Sequence, residues 1–141
     1  MMLVFVDTAA WIAVVYRKDR HHPTAAEYLK YLIESGAGLV TSNYVTDETI
    51  TRLRYDAGHK IALRFRQILT KAVSKRLLRV YWVTPEIELK SWEIFKKYDD
   101  QEFSFTDCTS FAVCQDVDIT DVFTFDRHFT FMGFSVGPGT H

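Results

Sequence analysis

Four acidic residues occupy positions where chemistry could be done. Asp7 ends the apolar run LVFV, Glu48 lies within SNYVTDETITRLR, Asp107 within SFTDCTSFAV, and Asp126 ends the run VFTF. Asp7 and Asp126 directly follow strand-like runs, Asp107 falls in the first turn of a helix-like segment, and Glu48 lies one turn into the helix after LVTS. In an open parallel sheet, ligand sites form beyond the carboxyl ends of the strands, so all four side chains can approach one edge. Two carboxylates about 4 Å apart repel by ~4 kcal/mol at an effective dielectric near 20. Four that converge must take up protons or share a cation. An all-oxygen donor set suits a hard divalent ion such as Mg²⁺ or Mn²⁺ better than zinc.

Taken singly, each acid also has a plain structural account. Asp7 and Asp126 could cap helices, a contribution of about 1 kcal/mol each. Glu48 could pair with Arg52 at i,i+4 for ~0.3–0.5 kcal/mol. Asp107 stands three residues after Ser104 and could close a capping box. Convergence in space is what would separate a site from four unrelated caps.

The elements that must position these residues alternate along the chain. LVFV (3–6), LVTSNY (39–44), VYWV (80–83) and VFTF (122–125) read as strands, and a short segment containing FSV follows. Between them lie helical segments: TAAWIAVVY, HHPTAAEYLKYLIESGAG, a helix capped by Asn43 and closed by Gly58, Lys60 to Arg76, a helix opened by Pro85, and Phe105 to Asp116. That alternation indicates an α/β domain with a mainly parallel sheet covered on both faces by helices. At 141 residues with 48% hydrophobic and 25% charged residues, the composition suits one soluble domain spanning 1–141. The apolar start MMLVFVDTAAWIAVVY has no Lys or Arg before it and is interrupted by Asp7, so a cytoplasmic protein is expected rather than a secreted or membrane one. Cys108 and Cys114, six apart on one helix, face different ways and read as small core hydrophobes. The three tryptophans, Trp11, Trp82 and Trp92, are mostly assigned to the core.

A net charge of −1 conceals segregation. From Arg52 to Arg79 there are nine Lys or Arg and one acid, and from Asp99 to Asp126 there are eight acids and no Lys or Arg. Opposite patches suit a protein that holds cations at one place and phosphates beside it. Lys60, Arg64, Lys71 and Lys75 share an arc of roughly 60° on one helix, beside the apolar stripe of Ile61, Phe65, Ile68, Leu69 and Ala72. They form either a solvated face or a ridge that tracks phosphates. Tyr55 could stack on an unpaired base.

The blocks FVDTAAWIA (5–13), TSNYVTDETITRLR (41–54), SFTDCTSFAV (104–113) and FTFDRHF (123–129) together resemble the PIN-domain ribonucleases, most closely the VapC-like toxins of toxin–antitoxin pairs. The blocks keep the family's order and spacing over nearly the whole chain. The resemblance implies a three-layer αβα sandwich, a metal-dependent endoribonuclease, a cognate antitoxin as partner and a homodimer. Its acidic quartet falls on Asp7, Glu48, Asp107 and Asp126, with Asp7 and Asp107 holding the principal Mg²⁺ or Mn²⁺. Glu48 and Asp126 would complete the site through water or with a second ion. The family's hydroxyl neighbours fall on Thr8, Thr106 and Thr124, whereas Ala9 replaces a common serine. The products implied carry 5′-phosphate and 3′-hydroxyl ends.

Three other readings compete. A metal-free histidine mechanism would need an acid–base pair, but His21, His22, His59 and His128 show no such spacing. His128 is expected to pack or hydrogen-bond near the site, and His141 to be flexible. An aspartyl-phosphate phosphatase would carry a DxD pair after the first strand, where this chain has Asp7, Thr8 and Ala9. A PIN-like module that binds RNA or protein without cutting is the remaining alternative, against which the four retained acids argue.

Overall fold

The computed structural model describes residues 1–139; His141 therefore lies outside the described residues. The chain runs β1 (Leu3–Val6), α1 (Thr8–Val15), α2 (His22–Glu34), β2 (Gly38–Ser42), α3 (Asn43–Asp56), α4 (His59–Ser74), β3 (Leu78–Tyr81), α5 (Pro85–Lys97), α6 (Phe105–Asp116), β4 (Asp121–Phe123), α7 (His128–Phe131) and β5 (Ser135–Gly137). The five strands form one sheet in the order β3-β2-β1-β4-β5, and every pairing is parallel. The expected mainly parallel sheet is thus wholly parallel. Its two directions of winding diverge from β1, and right-handed crossovers send the helices of each direction to opposite faces. Contacts follow that division except where α3 meets α6: α1 to α4 pack among themselves, α5 packs on α6, and Phe111 of α6 meets Phe129 of α7 edge-on at 5.0 Å. This is the αβα sandwich.

The central strand is short and apolar because it is covered on both sides. Val4, Phe5 and Val6 are all buried. Val6 pairs with Phe123 across the β1–β4 ladder, which sets the ends of these two strands, and hence Asp7 and Thr124, side by side. Helix α4 behaves as its stripe requires: Phe65 and Leu69 are buried with Ala62, while Lys60, Arg64, Lys71 and Lys75 are exposed.

Several local expectations are corrected. Ser42, not Asn43, caps α3, its hydroxyl accepting from Val45 N at 3.1 Å. Asn43 is instead used across the chain, its Oδ1 accepting from Val83 N at 2.7 Å. The strand expected at 80–83 is Leu78–Tyr81, which leaves Trp82 outside the ladder and 73% exposed. Of the tryptophans, Trp11 alone is core; Trp92 stacks on Phe95 at the surface. Both cysteines are buried and free, and burial pushes their thiols up, Cys108 to about 11. Among the described residues, no helix is long and apolar enough to cross a membrane.

Trp11 links the layers behind the site. Its ring meets Phe65 of α4 edge-on at 5.6 Å, and its Nε1 donates to Thr41 Oγ1, which donates in turn to Val6 O at 2.9 Å. One side chain therefore braces α1, α4 and the ends of β1 and β2. Replacing Trp11 by Ala empties a fully enclosed ring site and is expected to lower unfolding stability by about 3–5 kcal/mol. Urea denaturation measures this, and a loss below ~1 kcal/mol would contradict the bracing role.

Candidate active site

The carboxyl edge of the sheet opens into a cleft of about 230 Å³. Asp7, Glu48, Asp107 and Asp126 all line it, delivered respectively by the residue after β1, by α3, by the start of α6 and by the loop after β4, a strand expected at 122–125 that ends at Phe123. Asp7 and Asp107 are buried, whereas Glu48 and Asp126 are half-buried. Four acids spread over 120 residues of sequence thus face one volume.

Hydrogen bonds show which of the plain accounts hold. Asp7 sits at the N-cap of α1, yet its side chain makes no capping bond. Its Oδ2 accepts instead from the hydroxyl of Thr124 at 2.9 Å, and that hydroxyl also accepts from Asp126 N at 3.0 Å. Thr124 therefore ties two of the acids into one rigid corner. Asp126 Oδ1 accepts from His128 N at 2.9 Å, a local turn that starts α7. Glu48 and Arg52 do not pair: the described residues contain no ion pair between them.

Asp107 has two roles. Ser104 Oγ accepts from Asp107 N and Asp107 Oδ2 accepts from Ser104 N, each at 3.0 Å, which is a complete capping box. Two orphan amides of the α6 N-terminus are satisfied in this way. The capping bonds hold one edge of the carboxylate while the side chain borders the cleft. Helix capping here fixes a cleft-lining carboxylate rather than turning it away.

The electrostatics record the strain of this gathering. Asp7 is pushed up to about 7, first by burial and next by the charge of Asp107, with Asp126 adding to it. Asp107 is also pushed up, first by burial, against the Ser104 N–H that favours its charge, with Asp126 and Glu48 raising it further. Burial and mutual repulsion thus disfavour the charged forms of both Asp7 and Asp107, a pattern that clusters at functional sites. A second observation agrees. The buried hydroxyl of Thr8, which lines the cleft, has no hydrogen-bond partner. Orphaned buried hydroxyls are uncommon and call for a water or ligand oxygen.

Not every expectation is met in the expected form. The tightest possible ligand set is Asp107, Asp126 and His128, whose donor atoms lie within 4.8 Å of one another. Asp7 and Glu48 border the cleft without joining that trio. His128, expected to pack or hydrogen-bond near the site, packs edge-on against Phe103 at 5.2 Å, and its Nε2 is 3.8 Å from Asp126 Oδ1. Thr106 is not a cleft-lining residue; its carbonyl accepts from the Thr109 hydroxyl at 2.6 Å. Lys60, Arg64, Lys71 and Lys75 do not line the cleft either. Arg52 is the one Lys or Arg among the residues lining the cleft, and Glu102 adds a fifth acid. In the sequence Arg52 opens the basic segment 52–79 and stands one turn from Glu48, and neither signal alone sets it in the cleft.

The PIN domain family profile matches residues 4–134. The chain belongs to the PIN domain family. It is 38% identical over 133 residues to a 23S rRNA-specific endonuclease, VapC20, of Mycobacterium tuberculosis, covering 94% of this chain and 95% of the relative. It is 27% identical to a VapC ribonuclease of Archaeoglobus fulgidus, over 92% of this chain and 80% of that one. Among solved structures, that of M. tuberculosis VapC20, described as a sarcin–ricin loop cleaving toxin, superposes with a TM-score of 0.79 at 35% identity, over 93% of this chain and 95% of that one. The PIN fold is also shared with VapBC2 of Rickettsia felis bound to a promoter DNA fragment, at a TM-score of 0.71 and 12% identity over 96% and 97% of the two chains.

The charge balance makes a metal-free prediction. Because burial and Asp107 raise Asp7 from 3.8 to about 7 in the folded protein, ionising it disfavours folding. That penalty is absent below about pH 4, grows between pH 4 and 7, and is constant above. In chelator-treated buffer, Asp7→Asn should therefore melt higher than the parent at pH 8, with the difference vanishing near pH 3.5. A lower melting temperature for the variant at pH 8 would contradict it. Separately, Ser104→Ala removes half of the capping box and should destabilise by about 1 kcal/mol in denaturant titration.

Proposed function

We propose that this protein is a divalent-metal-dependent endoribonuclease and the toxin of a toxin–antitoxin pair, acting as one unit over residues 1–141. The observation that carries the reading is the convergence of Asp7, Glu48, Asp107 and Asp126 on one cleft, with the two buried members held against their own ionisation. The similarity to an rRNA-specific endonuclease over 94% of the chain supports the same chemistry and makes ribosomal RNA the first substrate to test.

The donor chemistry fits Mg²⁺ or Mn²⁺, since the acids offer only carboxylate oxygens and the orphan Thr8 hydroxyl can meet a water. Such an ion, when bound, lowers the pKa of water and offsets the charge that grows on the phosphate during hydrolysis. Asp7 and Asp107 are assigned as its direct holders, with Glu48 and Asp126 completing the site. Thr124 fixes the orientation of Asp7, and the Ser104 N–H that of Asp107, so neither carboxylate has to reorganise. Arg52 is placed to receive a phosphate oxygen of the substrate, where its guanidinium can bind bidentately.

A cognate antitoxin, a homodimer and a cytoplasmic location complete the proposal. An acid-lined cleft gives an inhibitor's arginine a ready seat. The exposed aromatics Trp92 and Phe95 offer apolar area for a protein partner.

The test is cleavage of a mixed RNA pool with Mn²⁺, with Mg²⁺ and with chelator. Asp7→Asn and Asp107→Asn are each expected to lose more than the ~10–100-fold that removal of an outer-shell partner costs. Cleavage that persists in chelator, or in both variants, would refute the assignment. Binding without cleavage in every arm would favour a module that holds RNA without cutting it.

A further inference from the structure

The cleft poses a problem for a polyanionic substrate. Asp7, Glu48, Glu102, Asp107 and Asp126 oppose it, with Arg52 the one permanently charged cation among the lining residues. A bound divalent ion offsets part of that charge at the scissile phosphate but not at the phosphates on either side. Cations beside the cleft, rather than in it, must hold the flanking backbone.

Helix α4 is poorly placed to do so as a whole. Its C-terminal end, which carries Lys71 and Lys75, leads directly into Leu78 at the start of β3, on the amino edge of the sheet. The cleft is on the carboxyl edge. The residues between α1 and α2 are better placed. There the sequence YRKDRHH carries Arg17, Lys18 and Arg20, all three exposed. His21 stacks on Phe125, with ring centroids 4.3 Å apart and planes only 6° from parallel. Phe125 lies between Thr124 and Asp126, so this stack fastens the connection to the strand end that carries the site. Arg20 Nε donates to His21 Nε2 at 3.2 Å, which keeps its charge at that anchor. The acid in the segment, Asp19, is turned inward, its Oδ1 accepting from His21 N at 2.8 Å. Arg17 and Lys18 border a hollow with Arg64 of α4, and none of these four cations has an ion-pair partner among the described residues.

We infer that the α1–α2 connection, through Arg17, Lys18 and Arg20 with Arg64 beside them, is the surface that grips the RNA backbone flanking the scissile bond. The inference rests on the ribonuclease reading and adds to it where the strand runs: past the His21–Phe125 stack and onto the start of α4, not along the length of α4. These residues bind and position the substrate; they do not take part in the chemistry.

The test compares the parent with the triple variant R17Q/K18Q/R20Q on two RNAs, a long substrate and a minimal one of a few nucleotides around the mapped cut. On the long RNA, KM should rise about tenfold with kcat unchanged. The log–log slope of affinity against salt should become shallower by about 2, from three lost contacts at ~0.7 each on single strands. On the minimal RNA the two proteins should be alike. The substituted side chains are exposed, so melting temperatures should agree. An unchanged KM and salt slope on the long RNA would overturn the inference and leave the ribonuclease reading intact. A loss in kcat that persists on the minimal RNA would also overturn it, by placing these cations in the chemical step. Absence of metal-dependent cleavage by the parent protein would overturn the ribonuclease reading and this inference together.

Discussion

The constraint on which the rest depends is repulsion between carboxylates that the fold refuses to separate. β1 is the central strand, so whatever follows it is surrounded; Asp7 is buried by that position alone. Asp107 comes to it from the opposite helical layer, already oriented by the Ser104 box. Chains evolve away from such proximity unless something rewards it, because each buried charge lacks the solvation it would have in water. Here the surrounding structure does the reverse and immobilises the charges, with Thr124 bonding Asp7 and supporting the Asp126 backbone. One hydroxyl thus holds two acids of the cleft in a fixed relation.

Much of this was legible in the sequence, for identifiable reasons. Short apolar runs alternating with helical periodicity specify a parallel sheet, and acids placed directly after strands specify an edge, so Asp7 and Asp126 could be located without coordinates. The α6 boundaries at Phe105 and Asp116 were readable because SFTD carries a capping signature followed by an uninterrupted apolar stretch. Boundaries failed where polar residues had two uses. Ser42 and Asn43 are both good caps, and only the tertiary bond to Val83 explains why Asn43 is released from that task. Trp82 reads as core by composition but follows a strand that has already ended.

The site was readable in its acids and less so in its cations. A charge run on one helix face is conspicuous in sequence, and it drew attention to Lys60, Arg64, Lys71 and Lys75. None of those lines the cleft, because their placement depends on the direction in which α4 crosses the sheet, and periodicity carries no such information. The YRKDRHH segment is unremarkable as text. Its significance comes from a ring stack between His21 and Phe125, 104 positions apart in the chain, and a contact at that separation leaves no local pattern. Arg52 was visible both as the head of the basic segment 52–79 and as half of a pair with Glu48 that does not form.

The bond from Thr124 to Asp7 spans 117 residues. Strands β1 and β4 are neighbours in the sheet although most of the polypeptide separates them. During synthesis, Asp7 leaves the ribosome early and waits for Thr124 and Asp126, which emerge near the end. Until then the acids are scattered over an unfinished sheet, and long-range pairings of this kind form late because loop closure must come first. A growing polypeptide therefore lacks the assembled acidic cleft, which is completed only when the last strands dock.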